Sequence, residues 1–147
     1  MILVDANLFI YAHDLTSPFH TPARRWVEQT FSGTEPVRLS WTSLLAFLRI
    51  TTHARVFANP LSLEEALQVV ESWLSQPCMG LLQPGQHHPA ILFSLLRKTQ
   101  VTGPLIMDAH LAALAIEHEA VLYSTDKDFD QFPGLRRVNP LGSSGSS

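Results

Sequence analysis

MILVDANLFIYAHD, residues 1–14, is the stretch whose reading decides the fold. Ile2–Val4 is a short apolar run with β-branched residues, the pattern of a strand buried on both faces of a sheet. Asp5 ends it, and an apolar run resumes at residues 7–12 as the start of a helix. A carboxylate that interrupts a buried apolar run at a strand-to-helix junction is hard to read as a solvated surface charge.

Outward from this segment, strands and helices alternate. Thr21-Pro22 reads as an N-cap followed by proline at the first helical position. In the ensuing ARRWVEQTF, Ala23, Trp26, Val27 and Thr30 share one face, and Gly33 ends the helix. Residues 36–39 form a second strand candidate. Ser40 is placed to cap a helix in WTSLLAFLRITTHARVF, where Leu44, Leu45, Leu48 and Thr52 follow helical spacing. Asn59-Pro60 breaks the chain. Ser62 with Glu65 three residues on predicts a capping box, and Leu63, Ala66, Leu67, Val70 and Leu74 form the expected buried stripe. A strand at Met79–Leu82, helices at 87–99 and 105–118, a strand at 120–123, a helical turn at 129–132 and an edge strand at 136–138 complete the series. The alternation predicts an α/β sandwich with a mostly parallel sheet.

The chain has 147 residues, the size of one domain, which we place at 1–140. The last seven residues, LGSSGSS, read as a flexible tail or appended linker. With 46% apolar and 16% charged residues and a mean hydropathy of +0.10, the composition excludes a disordered chain. No apolar stretch approaches the ~20 residues of a membrane span, and the N-terminus lacks the basic region of a signal peptide. The single cysteine, Cys78, excludes an internal disulfide and a cysteine-based zinc site. A reducing cytoplasm is the expected compartment. Net charge is −3 with pI near 6.1, so binding to phosphate by Lys and Arg alone is not advertised. An acidic chain that engages nucleic acid needs a divalent cation or a local arginine cluster.

The positions of the acids are the informative feature. Of six aspartates, Asp5 follows the first strand, Asp126 the strand at 120–123, and Asp108 opens the most apolar helix. In open α/β sheets ligands bind at the carboxyl ends of strands, so Asp5 and Asp126 project into one crevice that Asp108 can join. Three converging carboxylates cannot all be ionised without a counter-charge. Either one is protonated, or a hard divalent cation such as Mg²⁺ or Mn²⁺ lies between them. Glu117, nine residues past Asp108, falls half a turn away on the opposite helix face and cannot join. Asp128 and Asp130 can lean into the crevice. His87-His88, beside Pro89, are expected to be exposed, and without histidines paired on one helix zinc is not expected.

VDANLFIYA, then DAHLAALAIEH, then STDKDF resembles a PIN domain of the VapC type, the toxin half of a bacterial toxin–antitoxin pair. SWTSLLAFLRITTHARVF and the closing FPGLRRVNPL resemble a mycobacterial branch of that family. The resemblance covers the chain to about Pro140. It implies a three-layer α/β/α fold and a Mg²⁺- or Mn²⁺-dependent endoribonuclease. It also implies a VapB-like antitoxin reaching into the active-site groove, and a symmetric homodimer. Asp5, Asp108 and Asp126 match catalytic, metal-binding acids of the family, with Asn7, Ser124 and Asp128 in supporting positions. The slot of a further family acid, a glutamate, falls on Ala46. If Ala46 faces the site, Arg49 and His53 share its helix face, and Arg49 becomes a candidate contact for RNA phosphate. Other candidates are Arg24-Arg25, Arg55, Arg97-Lys98 and Arg136-Arg137. Trp26, Trp41 and Trp73 are expected in the core or an interface.

The implied reaction is phosphodiester hydrolysis by an activated water, leaving a 5′-phosphate. Ala46 supports an alternative, a degenerate PIN domain that binds RNA or protein without cutting. A haloacid-dehalogenase-like phosphatase needs a second acid two residues after Asp5, where Asn7 stands. A receiver domain needs paired acids near the first strand and a late lysine. Neither pattern is met.

Overall fold

Three residues make the centre of the molecule. Strand β1 (Ile2–Val4) is hydrogen-bonded on both sides, and alternation of its side chains divides the core. Ile2 and Val4 enter one apolar cluster and Leu3 the other. The computed structural model describes residues 1–142. After β1 come α1 (Ala6–His13), α2 (His20–Phe31), β2 (Val37–Ser40), α3 (Trp41–Thr51), α4 (Leu63–Leu74) and β3 (Met79–Leu82). Then follow α5 (His88–Thr99), α6 (Leu105–Glu117), β4 (Val121–Tyr123), a 3-10 turn (Lys127–Gln131) and β5 (Arg137–Val138).

The sheet order is β3-β2-β1-β4-β5 and every pairing is parallel. Parallel strands need both faces covered. Helices α1 to α4 cover one face with large side chains, including Phe9, Phe47 and Trp73. Helices α5 and α6 cover the other, where α6 presents Ala109, Ala112, Ala113 and Ala115, all buried. The result is the expected three-layer α/β/α sandwich with a parallel central sheet.

Local signals account for most boundaries. Ser40 caps α3 by accepting from the Ser43 N–H at 3.1 Å. The capping box of α4 is present in both directions, Glu65 N to Ser62 Oγ at 3.1 Å and Ser62 N to Glu65 Oε1 at 2.9 Å. Thr21 does not cap α2. That helix begins at His20, with Phe19 at the N-cap and no side-chain cap bond. Helix α3 stops at Thr51 rather than running on to Phe57, because the chain turns back there and the Leu61 N–H bonds to Thr51 O. The stripe of α4 is narrower than its apolar spacing: Ala66, Val70 and Trp73 are buried, while Leu63 and Leu74 are exposed. Leu141 packs against the first cluster, and its N–H bonds Asn139 Oδ1 at 3.0 Å. Of the tail expected at 141–147, residues 143–147 lie outside the described residues. No helix among the described residues is long and apolar enough to cross a membrane.

Phe9 is the pivot of the aromatic face, 1% exposed and stacked on Trp73 at 4.1 Å between ring centroids. Phe9→Ala is expected to cost about 3–5 kcal/mol of stability, by lost burial and the cavity left behind. Urea unfolding monitored by tryptophan fluorescence measures it, and an unchanged midpoint contradicts this packing role.

Candidate active site

Parallel pairing of β1 with β4 sets Val4 beside Tyr123, so both strands end at the same edge. The next residues, Asp5 and Ser124, meet there. Ser124, fully buried, donates its hydroxyl to Asp5 Oδ2 at 2.7 Å and accepts the Asp126 N–H at 3.0 Å. Asp126 in turn accepts the Asp128 N–H at 2.8 Å, capping the 3-10 turn. Arg137 pins this loop from outside: its guanidinium forks onto Asp130 at 2.8 and 2.9 Å and donates to Ser124 O at 3.0 Å. Asp108 arrives separately, on the first turn of α6.

One carboxylate oxygen from each of Asp108, Asp126 and Asp128 lies within 4.8 Å of the other two. Asp5 adjoins them. Burial holds its carboxyl above the usual range; the Ser124 hydroxyl and the N–H groups of Ala6 and Asn7 oppose this, while the charge of Asp126 adds to it. The Asp108 carboxyl is pushed up to about 6, first by burial and then by Asp126, Asp5 and Asp128. Among the described residues, no Lys, Arg or His forms an ion pair with any of these four acids. An all-oxygen, anionic donor set crowded until one member resists ionisation suits a hard divalent cation.

A cleft of about 670 Å³ opens beside the acids. Asp5 and Asp108 line it, facing Ala46 and Arg49 of α3. Ala46 therefore puts a methyl group where a carboxylate would face the site. Arg49 sits exposed on the rim and His53 is not part of the lining. Asn7 turns away into a second cleft on the Asp126 side.

Asp5, Asp108 and Asp126 are thus brought together, with Asp128 in the tightest group. Thr42 and Ser43 also line the first cleft and were not anticipated. Their signal is the hydroxyl run at the end of β2, where Ser40 Oγ lies 3.0 Å from both Thr42 Oγ1 and Ser43 Oγ.

Other candidates fall elsewhere. Glu117 is on the far side, as the helical angle requires, accepting the Gly85 and His87 N–H groups at 2.7 and 3.0 Å. His88 is buried, not exposed: α5 begins at this residue and packs it against α6, with Nε2 3.0 Å from His110 Nδ1. Arg24 pairs with Glu28 on the exposed face of α2, and Arg137 is committed to Asp130. Trp73 is in the core, and Trp26 stacks on Tyr123 at 5.7 Å. Trp41 is 47% exposed.

The PIN domain family model matches residues 2–135. The ribonuclease VapC37 of Mycobacterium tuberculosis is 41% identical over 140 residues, covering 95% of this chain and 97% of that protein. Solved structures share the fold, among them the following two. One is VapBC2 from Rickettsia felis bound to a DNA fragment from its promoter (TM-score 0.69, 16% identity, 95% of this chain and 98% of that one). The other is a toxin–antitoxin complex from Klebsiella pneumoniae (TM-score 0.62, 16% identity, 95% and 98%).

The raised carboxyl of Asp108 gives a pH signature in metal-free protein. Between the ordinary 3.8 and about 6, the folded chain retains a proton that the unfolded chain releases. Folding therefore becomes less favourable as pH rises through that window. Thermal unfolding in EDTA is expected to show the Tm of wild type falling relative to that of Asp108→Asn as pH rises from about 4 to 6.5. An identical slope in that variant contradicts the crowding.

Proposed function

The chain belongs to the PIN-domain family, and we propose that it is the toxin half of a toxin–antitoxin pair, acting as an endoribonuclease. The convergence of Asp5, Asp108, Asp126 and Asp128 at one sheet edge, with no basic partner among the described residues, carries this reading. A protein of net charge −3 that gathers acids where a phosphate must bind needs a cation there.

Asp5, Asp108 and Asp126 would hold the divalent cation, Mg²⁺ or Mn²⁺, with Asp128 beside them. When bound, the ion supplies positive charge to the scissile phosphate and its leaving oxygen. The rest is done by the chain. Ser124 holds Asp5 in one orientation through its 2.7 Å bond and sets the loop that carries Asp126. Asp126 takes the proton of the attacking water. As water oxygen bonds to phosphorus the bond to the 3′ oxygen breaks, leaving a 5′-phosphate without use of the ribose 2′-OH. Arg49, on the rim of the same cleft, is placed to meet a phosphate of the strand.

A VapB-like antitoxin suits this surface, since Leu45, Leu63 and Met107 line the cleft and are each more than half exposed. Pairing of two copies, with Trp41 as an exposed apolar residue to bury, and a cytoplasmic location complete the proposal. Ala46 favours a second reading, a PIN domain too poor in ligands to cut, which binds RNA or protein instead.

Purified, antitoxin-free protein incubated with total RNA separates the two. Discrete cuts are expected in Mg²⁺ or Mn²⁺, none in EDTA, and a loss of about a hundredfold or more in Asp5→Asn. A folded wild type that leaves all RNA intact, with Ala46→Glu restoring cleavage, establishes the ligand-poor reading. Wild-type activity in Asp5→Asn removes Asp5 from the proposed site.

A further inference from the structure

The acids stand between two clefts. Asp108 lines the first and Asp126 the second, yet a carboxylate oxygen of one lies within 4.8 Å of a carboxylate oxygen of the other. The second cleft has a volume of about 440 Å³, inside the ~300–1,000 Å³ range of small-ligand sites. Its walls differ in kind from the leucine-rich first cleft. Tyr11 and Phe19 form an aromatic wall, with ring centroids 5.1 Å apart and planes tilted by 42°. Phe19 is 43% exposed. Asn7 and Asn139 bring carboxamides, and the Oδ1 of Asn139 is taken by the Leu141 N–H, leaving its amino group as donor. Lys127 brings an exposed ammonium that forms no ion pair among the described residues.

A π-face, hydrogen-bonding amides and one cation beside a phosphate-cutting site are the parts of a nucleotide pocket. Single-stranded RNA is held by stacking of splayed bases on aromatic rings and by hydrogen bonds to base edges. We propose that this second cleft seats the base of an RNA nucleotide next to the scissile phosphate. The base stacks on Phe19 and Tyr11, Asn7 and Asn139 read its edge, and Lys127 meets a neighbouring phosphate. The strand then crosses the acids from one cleft to the other, and the pocket selects where it is cut. This inference rests on the ribonuclease reading above.

The test compares wild type, Phe19→Ala, Phe19→Trp and Lys127→Ala, each first shown to unfold cooperatively. In EDTA, fluorescence anisotropy of a labelled short single-stranded RNA of mixed sequence reads binding alone. Phe19→Ala is expected to weaken binding roughly 5- to 150-fold, the range lost with one base–aromatic stack, and Phe19→Trp to restore it. Lys127→Ala is expected to reduce the slope of log affinity against log salt by about 0.7. In Mg²⁺, end mapping of cut total RNA is expected to show that Phe19→Ala flattens the base preference at one position beside the cut. Equal RNA binding by wild type and Phe19→Ala, or no RNA binding by wild type, overturns the pocket. So does RNA binding unchanged in Phe19→Ala with antitoxin capture lost, which assigns the cleft to the protein partner. A wild type that binds RNA through Phe19 but cuts nothing overturns the nuclease reading and leaves the pocket standing.

Discussion

Parallel pairing of β1 with both β2 and β4 is the constraint from which the arrangement of the site follows. Parallel strands deliver all their carboxyl ends to one edge, and a shared middle strand puts the ends of its neighbours beside its own. Asp5 and Ser124 thus meet although they come from opposite ends of the chain, and Thr42 and Ser43 after β2 line the same cleft as Asp5. The bond from Ser124 to Asp5 spans 119 residues of sequence and is made at the first positions past the two strands. A short, fully apolar central strand is what allows this: with Leu3 and Val4 completely buried, a slip of one residue would turn both side chains onto the wrong faces. The register of the core and the placement of the first acid are the same fact.

The fold therefore sustains an arrangement that electrostatics opposes. Four carboxylates at one edge repel each other, and burial penalises the charge on Asp5 and Asp108 further. The offsetting stabilisation lies outside the site. The two apolar layers fix the strand ends, and the Arg137–Asp130 fork with its bond to Ser124 O braces the loop from behind. Arg137 forms its ion pair with Asp130, which is not among the converging acids, and reaches Asp126 only as a more distant charge. This is the pattern of a site in which binding, rather than folding, supplies the compensation.

Much of this was legible in residue order. The apolar triplet before Asp5, the Ser62–Glu65 capping box and the helical angle between Asp108 and Glu117 each depend on neighbours a few residues away, and each is found in the structure. What was not legible depends on residues far apart. Leu63 fits the apolar stripe of α4 as well as Val70 does, yet only packing against the sheet decides that Val70 is covered. His88 lies beside a proline in a polar-looking turn, but α6 folds over it. Asn7 is two residues from Asp5, and only the direction of α1 decides that it faces the second cleft. Asp128 and Asp5 were both visible as acids near the crevice. Which one joins Asp108 and Asp126 most tightly depends on the 3-10 turn, whose cap is made by Asp126 itself.

The alanines of α6 set a mechanical condition on the chemistry. Ala109, Ala112, Ala113 and Ala115 are buried with little side-chain bulk to yield between the helix backbone and its neighbours, Leu111 and Leu114 being the larger buried side chains of the same helix. The first turn of this helix carries Asp108, while the other acids belong to the strand ends and their loop. One methylene added along the alanine face would lift the helix as a lever, and the far end of that lever is a carboxylate. Drift in core volume on this side of the molecule is thus converted into drift in the spacing of the acids. The aromatic side also touches the site, since Asp5 stands at the N-cap of α1, but its larger rings have more ways to take up a change in volume. The two faces of one sheet are therefore under different tolerances: one is a packing problem, the other a ruler.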